Sequence, residues 1–452
     1  MSGASDKARY YLEAQVPELQ TLLRKKVFAK AEVQKITTQR SNFEHILAAR
    51  GSTPADYARY ATYELNLDSL LKKRANRLHI NLSRSTHFGQ KKVFFILERG
   101  TRKFQGDVRL WMQLLEFARK EGARKKMREG LTGVLRLHPM RGELWLYAAR
   151  WAFEEEGDVG AARGYMQRGL RFCGNDRDVW VGYARLEVIY VAKIAGRRKV
   201  LGLDGEGRKK NVDVDMEEDE GEDVLRLPGL TAEDVNPTLA KDDSVDEIAL
   251  QNLANTPALT GAIPIAIFDA AMAHFNHDEE LAVRFFNMVA EFDSNSTTQK
   301  ILRHILDSML QHKPDTVATI SCQLNLPLLG VSPSSPEFPA ALSESLQIIR
   351  TCSKRLPLKK AQIAEAAISK LVPYIPKKGL DPDIQKVLAI SIRQFNKELG
   401  GPEASATLVE RLQEEKRLRD AKYLLEVAVR QYAANERLLQ THAQLTAVAV
   451  AK

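Results

Sequence analysis

Cysteine is scarce in this 452-residue chain. Cys173, Cys322 and Cys352 are odd in number and far apart, which argues against a disulfide framework and for a reducing compartment in which each thiol is a small buried hydrophobe. Long apolar runs are missing as well: none approaches the roughly 20 residues that span a bilayer. The first thirty residues mix Asp6, Glu13 and Glu18 with basic side chains in place of a signal-peptide pattern, so neither membrane nor export is expected. Catalytic signatures are absent too. There is no Gly-x-Ser-x-Gly elbow, and the stretch from Gly202 to Lys209 has Arg208 where a phosphate-binding loop places Lys, lacks the Ser/Thr for magnesium and follows no strand. His274 and His277 stand three apart beside Asp278, but no second His/Cys group at ligand spacing joins them to complete the four ligands of a structural zinc site. The expectation is a protein that is not an enzyme, with no catalytic residue, no metal and no cofactor.

What the chain does contain is a register. Trp111, Trp145 and Trp180 are spaced by 34 and then 35 residues, the length of a two-helix repeat. Each opens a helix with apolar residues at every third position, as in Trp111, Leu114, Phe117, then Trp145, Ala148, Trp151, then Trp180, Tyr183, Leu186. An earlier copy reads Tyr57, Tyr60, Tyr63. Eleven or twelve residues before each Trp, Gly100, Gly133 and Gly169 close a partner helix, and Gly169 is small enough for a neighbouring helix to approach closely. Asp107 and Asp178 are placed as helix caps, Pro139 interrupts the chain after a helix, and Thr53-Pro54 puts proline at a first helical position. The fold class expected is all-α, a helical-repeat solenoid with Tyr57, Tyr60, Trp111, Trp145, Trp151, Trp180 and Tyr183 in the repeat core.

Charge is distributed unevenly. Residues 1–200 hold 39 Lys and Arg against 21 Asp and Glu, a net +18, whereas the whole chain is +9. The remaining residues therefore carry −9. Clusters at Lys72-Lys73-Arg74, Lys91-Lys92 and Arg124-Lys125-Lys126 with Arg128 are candidates to contact RNA phosphates or an acidic partner, or else are solvated helix faces. Arg197-Arg198-Lys199 and Arg208-Lys209-Lys210 resemble a bipartite nuclear import signal.

The chain divides, on these patterns, into a helical cap over 1–50, repeats over 51–199, a linker over 200–255 and degenerate helical repeats over 256–452. Between Tyr57 and Trp111 the gap is too long for one unit and predicts an extra helix around Val93 to Leu97. Eight of the eleven residues from Asp213 to Asp223 are acidic, which predicts that the linker is disordered and interrupts the solenoid. After it, periodicity returns without Trp in Ile263 to His274, Leu281 to Phe292 and Ile301 to Gln311. A Pro/Ser-rich loop from Pro327 to Pro339 follows, and then further amphipathic segments as far as Leu439.

The acidic residue after the aromatic triplet, Tyr57-x-x-Tyr60-x-x-Tyr63-Glu64 and Trp180-x-x-Tyr183-x-x-Leu186-Glu187, resembles the half-a-tetratricopeptide (HAT) repeat rather than the tetratricopeptide repeat. Ala118 and Ala152 depart from it at the same offset. The string Arg9-Tyr10-Tyr11-Leu12-Glu13, Pro17-Glu18-Leu19, Phe43-Glu44-His45, Arg50-Gly51-Ser52 and Asp56-Tyr57, with Glu98-Arg99-Gly100-Thr101 and Asn255-x-Pro257-Ala258-Leu259-x-Gly261, resembles the U3 small nucleolar RNA-associated protein 6 family over residues 1 to about 270. That resemblance implies a non-enzymatic scaffold of the UTP-B subcomplex of the small-subunit processome, nuclear and nucleolar, supporting pre-18S rRNA processing and 40S biogenesis. The partners it implies are WD40-propeller subunits within a hetero-oligomer, with U3 snoRNA and the 5′ region of pre-rRNA in the assembly, and direct RNA contact left open. The alternatives are a HAT scaffold of pre-mRNA splicing or 3′-end processing and a tetratricopeptide-type peptide-binding adaptor.

Overall fold

A computed structural model describes residues 4–13, 15–79, 88–200, 260–293, 295–375, 380–415, 417–432 and 435–441, and among them the chain is helical with no strand. It is an all-α helical repeat, and it separates into two compact units, residues 1–175 and 176–452. The acidic segment expected to be a linker lies outside the described residues.

The first unit holds α1 (Ala4–Glu13), α2 (Val16–Arg24), α3 (Lys30–Ala48), α4 (Pro54–Arg77), α5 (Phe88–Lys103), α6 (Val108–Lys120), α7 (Arg124–Leu137), α8 (Gly142–Trp151) and α9 (Val159–Phe172). Local chemistry sets the helix starts. The Thr53 amide donates to Asp56 Oδ2 at 2.8 Å, closing a capping box over Pro54, Asp107 accepts from the Arg109 amide at 2.9 Å, and Asp158 accepts from the Ala161 amide at 2.9 Å. A π-helical turn, Ala152–Glu156, extends α8 until Gly157 turns the chain at φ +72°.

Helices pair as hairpins, α4 with α5, α6 with α7 and α8 with α9, and the same contact recurs in each. A Cβ added at Gly100 would lie 2.9 Å from Tyr57 Cδ1, one at Gly133 2.9 Å from Trp111 Cη2, and one at Gly169 2.9 Å from Trp145 Cβ. Glycine therefore stands where the aromatic of the first helix meets the backbone of the second. The long gap between Tyr57 and Trp111 has a different cause from the one expected: the helix at Val93 to Leu97 is α5, the hairpin partner of a 24-residue α4, and no additional helix lies there among the described residues.

Successive hairpins are joined through the turns between them. The Trp111 indole donates to the Gln105 carbonyl at 3.2 Å, and His138 from the next turn bonds the same oxygen at 2.9 Å. One repeat later the Trp145 indole donates to the Pro139 carbonyl at 2.8 Å, and the Cys173 thiol donates to it at 3.3 Å. Each turn carbonyl thus satisfies an indole of its own repeat and a side chain of the following one.

The second unit contains α10 (Arg177–Val200), α11 (Ala262–His274), α12 (Glu279–Ala290), α13 (Ser296–His312), α14 (Val317–Asn325), α15 (Phe338–Arg355), α16 (Lys360–Leu371), α17 (Pro382–Glu398), α18 (Pro402–Glu414) and α19 (Leu418–Gln431). Residues 436–441 are helical as well. Its boundary falls before α10, whereas the sequence reading places the division after it. The reason is packing: α10 lies against α11 and α12, with Arg177 paired to Asp278 at 2.7 Å and Arg185 to Glu291 at 2.7 Å. The cap of α10 is Asp176, whose Oδ1 accepts from the Asp178 amide at 2.9 Å. Asp178, expected as the cap, instead sits in the first turn and pairs with Arg284. Phe338, Ile363, Ile368, Leu388, Ile392, Val409 and Leu424 build a continuous core through the later helices. Helix α14 carries no long apolar period and is not anticipated from the sequence.

The aromatic–glycine contact makes a two-sided prediction. Trp111→Ala is expected to cost about 3–5 kcal/mol. Gly133→Ala is expected to destabilise the wild type, because overpacking of about 1–3 kcal/mol exceeds the roughly 1 kcal/mol of helix propensity gained. In the Trp111→Ala background the obstructing ring is gone, and the same glycine change is expected to stabilise. Urea melts of the two single variants and the double variant measure the coupling, and equal effects of Gly133→Ala in both backgrounds would remove the contact from the account.

Candidate interaction site

The N-terminal helices enclose a cluster of charge. Arg40 on α3 is 2% exposed and Glu64 on α4 is 1% exposed. Arg40 Nε donates to Glu64 Oε1 and Nη2 to Oε2, both at 2.8 Å, a bidentate pair. Glu18 on α2 approaches Arg40 Nη2 at 3.7 Å, and Lys92 on α5 reaches Glu64 at 3.6 Å while donating to Gln15. Beside this group Arg99 Nη2 lies 2.9 Å from the buried Glu44, and its guanidinium stacks over Tyr11 at 4.6 Å and Phe95 at 5.1 Å. Phe43 lies parallel to Tyr60 at 4.9 Å and closes the aromatic side.

Burial controls the protonation of this cluster. It opposes the Arg40 charge, but the attraction and hydrogen bonds of Glu64 more than offset it, so the guanidinium is held above its ordinary value. Burial pulls the Lys92 ammonium down to about 8, with Glu64 acting in the opposite direction. The Tyr60 phenol is pushed up by burial and by Glu64 and Glu44. The acidic position that follows the aromatic triplet is therefore an interior ion partner, and Glu187, its counterpart in the second unit, is fully buried as well.

The sequence candidates separate under this geometry. Tyr57, Tyr60, Trp111, Trp145, Trp151 and Tyr183 are buried, whereas Trp180 is half-buried, its ring 6.0 Å from that of His274. Lys92, expected at the surface, points into the cluster. Arg74 is engaged by a bidentate bond to Glu32, with both distances 2.8 Å, and that hydrogen bond holds the Glu32 carboxyl down to about 2. Lys72 pairs with Asp68 at 2.7 Å, Lys126 with Glu98 at 2.7 Å and Arg128 with Glu156 at 2.7 Å. Lys73, Lys91, Arg124 and Lys125 remain exposed and without an acidic partner among the described residues. Arg197, Arg198 and Lys199 belong to the last turn of α10, with Arg197 exposed, while Arg208, Lys209 and Lys210 lie outside the described residues, as does the stretch from Gly202 to Lys209. His277 stacks on His312 at 3.5 Å, and Asp278 is taken by Arg177. Among the described residues no group of three or more His, Cys, Asp or Glu is placed to hold a metal ion, and no helix is long and apolar enough to cross a membrane.

Sequence reasoning missed Arg40, Glu18, Glu44 and Arg99 as a unit. The available signal was Glu64 itself: a carboxylate on the apolar face of a helix requires a cation, but nothing in the sequence names one 24 residues earlier.

Removing one partner of the buried pair and removing the misfit cation should have different consequences. Arg40→Met strands Glu64 and is expected to cost about 3–5 kcal/mol. Lys92→Met removes a charge that the fold disfavours and is expected to cost far less at neutral pH. Because the folded chain binds the Lys92 proton less tightly than the unfolded chain, the wild type gains stability relative to Lys92→Met as pH rises from about 8 to about 10, by on the order of 2–3 kcal/mol. Denaturant melts of both proteins across that window check it, and a difference that stays flat or falls with pH contradicts the burial of the ammonium.

The family described as U3 small nucleolar RNA-associated protein 6 matches residues 12–95, the segment that contains Glu18, Arg40, Glu44, Glu64 and Lys92. The U3 small nucleolar RNA-associated protein 6 of Schizosaccharomyces pombe is 34% identical over 236 residues, covering 51% of this chain and 48% of that protein. The Homo sapiens homolog is 26% identical over 217 residues, 48% of this chain and 35% of its own length. The Dictyostelium discoideum homolog is 22% identical over 324 residues, 69% of this chain and 51% of its own. The chain thus spans about half or less of the length of these curated relatives. Among solved structures, a circular tandem repeat protein with novel repeat topology aligns over 98% of this chain and 92% of that one at 14% identity, with a TM-score of 0.27 that carries no structural argument. This chain is therefore similar to U3 small nucleolar RNA-associated protein 6 and its homologs, and the family model itself matches the segment that holds most of the buried charge cluster.

Proposed function

We propose that this chain is a non-enzymatic scaffold that associates with the U3 small nucleolar ribonucleoprotein during pre-rRNA processing. The observation that carries this reading is the match of residues 12–95 and of about half the chain to proteins named for association with U3 small nucleolar RNA. The architecture supports it: stacked hairpins present long surfaces to partners, and the first 200 residues carry net +18, which suits a setting rich in phosphate. In its finer form the reading makes the chain a HAT-repeat subunit of UTP-B in the nucleolus, contacting WD40-propeller subunits and, through the assembly, U3 snoRNA and the 5′ region of pre-rRNA. The acidic residue after the aromatic triplet supports the HAT assignment, since Glu64 and Glu187 are both buried in the way a repeat-defining position requires.

The test is purification of the tagged chain from cells, with sequencing of bound RNA and identification of bound proteins. Enrichment of U3 snoRNA together with propeller proteins is expected, and recovery of spliceosomal RNA in its place would overturn the reading. Reversing Lys73, Lys91, Arg124 and Lys125, which have no acidic partner among the described residues, to Glu is expected to leave the helical circular dichroism near wild type, since surface charges contribute within about 0.5 kcal/mol each. The same change is expected to weaken pre-ribosomal association. Unchanged association at every salt concentration would identify those clusters as solvated faces.

A further inference from the structure

One arginine recurs in the register of the tryptophans. Arg102, Arg136 and Arg171 each stand nine residues before Trp111, Trp145 and Trp180, in the last turn of α5, α7 and α9. All three are exposed, and none forms an ion pair or a side-chain hydrogen bond among the described residues. Their alignment is fixed by the turns. Two residues further on, His138 reaches back to the Gln105 carbonyl and Cys173 to the Pro139 carbonyl, so equivalent turns of consecutive repeats are in direct contact. The three arginines therefore stand at equivalent positions of consecutive hairpins in the first unit, one at each of these linked turns. The same turns also expose Arg109 and Arg141, and Phe172 stands 48% exposed with one face stacked on Trp145 at 5.9 Å. Asp107, the acidic residue of the first turn, is occupied in capping α6.

We propose that the row Arg102, Arg136 and Arg171 is a binding track for the phosphate backbone of single-stranded RNA. Guanidinium groups repeated once per hairpin match a polymer that repeats its charge, and a basic track with an exposed aromatic beside it is the composition of sequence-tolerant single-strand sites. An acidic protein surface fits less well, because protein interfaces rely on a buried central anchor whereas the three arginines are exposed. A cation in the last turn of a helix also complements the helix dipole. That role accounts for the presence of basic residues there, but it does not require the same residue at the same register in three consecutive repeats. The proposal rests on the reading of RNA association above and assigns it a surface.

The experiment uses the full chain and an oligouridylate of about 20 nucleotides, with affinity measured by fluorescence anisotropy across a salt series. Replacing all three arginines with Gln is expected to reduce the slope of log affinity against log salt by about 2, from about 0.7 per lost contact on a single strand, and to weaken binding on the order of a hundredfold at 0.1 M salt. Replacement with Lys is expected to retain most of the slope, and circular dichroism melts of both variants show that the helices persist. An unchanged slope with lowered melting temperature would assign the arginines to the helix dipoles and overturn the proposal. Unchanged RNA affinity with loss of binding to polyglutamate would overturn it in favour of an acidic protein partner. If the wild-type chain recovers U3 snoRNA from cells but binds no oligouridylate, the track is rejected while the association stands. If it binds oligouridylate through this row but recovers no U3 snoRNA, the association is rejected and the track stands.

Discussion

A flat aromatic ring resting on a glycine of its partner helix sets the geometry of the N-terminal hairpins. With no Cβ at Gly133 or Gly169 the second helix comes close enough for the indole of the first to pack against its backbone, and the same contact holds Tyr57 against Gly100. Because the ring is anchored at its other edge by a bond from the indole nitrogen to a turn carbonyl, the position of the turn is fixed as well. The next repeat then bonds to that same carbonyl, so order is handed on from hairpin to hairpin. One side-chain choice thereby controls the spacing within a repeat and the stacking between repeats. It also determines which residues of each turn face solvent, and the arginine row inherits its regularity from that register.

The buried charge cluster is a second constraint, of a different kind. Burying Arg40 and Glu64 carries a large desolvation cost that a bidentate bond offsets only when both partners are in place. Such a pair adds little net stability over an apolar pair of equal size, but it penalises any packing of α3 against α4 that separates the two groups. Lys92 sits at the edge of this arrangement and is the less comfortable cation, as the fall of its pKa to about 8 under burial reflects. The family match covers this cluster, while the exposed basic groups of α7 lie beyond it.

The sequence by itself determined that the chain is an array of amphipathic helices, since apolar residues at every third position need no knowledge of neighbours to be recognised. It also determined the aromatic positions of the core and the glycines opposite them, because an aromatic and a small residue at fixed offsets have few other uses in a helical repeat. Only the tertiary structure decided which charges are free. Lys92 and Lys91 are adjacent in sequence and equally basic, yet one lies in the interior and the other in solvent, because a helix turns about 100° between neighbouring residues. Arg74 and Lys126 are engaged in the same way, by carboxylates on other helices that no local pattern could pair with them. Trp180 shares the register of Trp111 and Trp145 but is only half-buried, and α10 packs with the helices that follow the acidic segment. Periodicity fixes which face of a helix is apolar; what covers that face depends on segments distant in the chain, and only the folded arrangement supplies them.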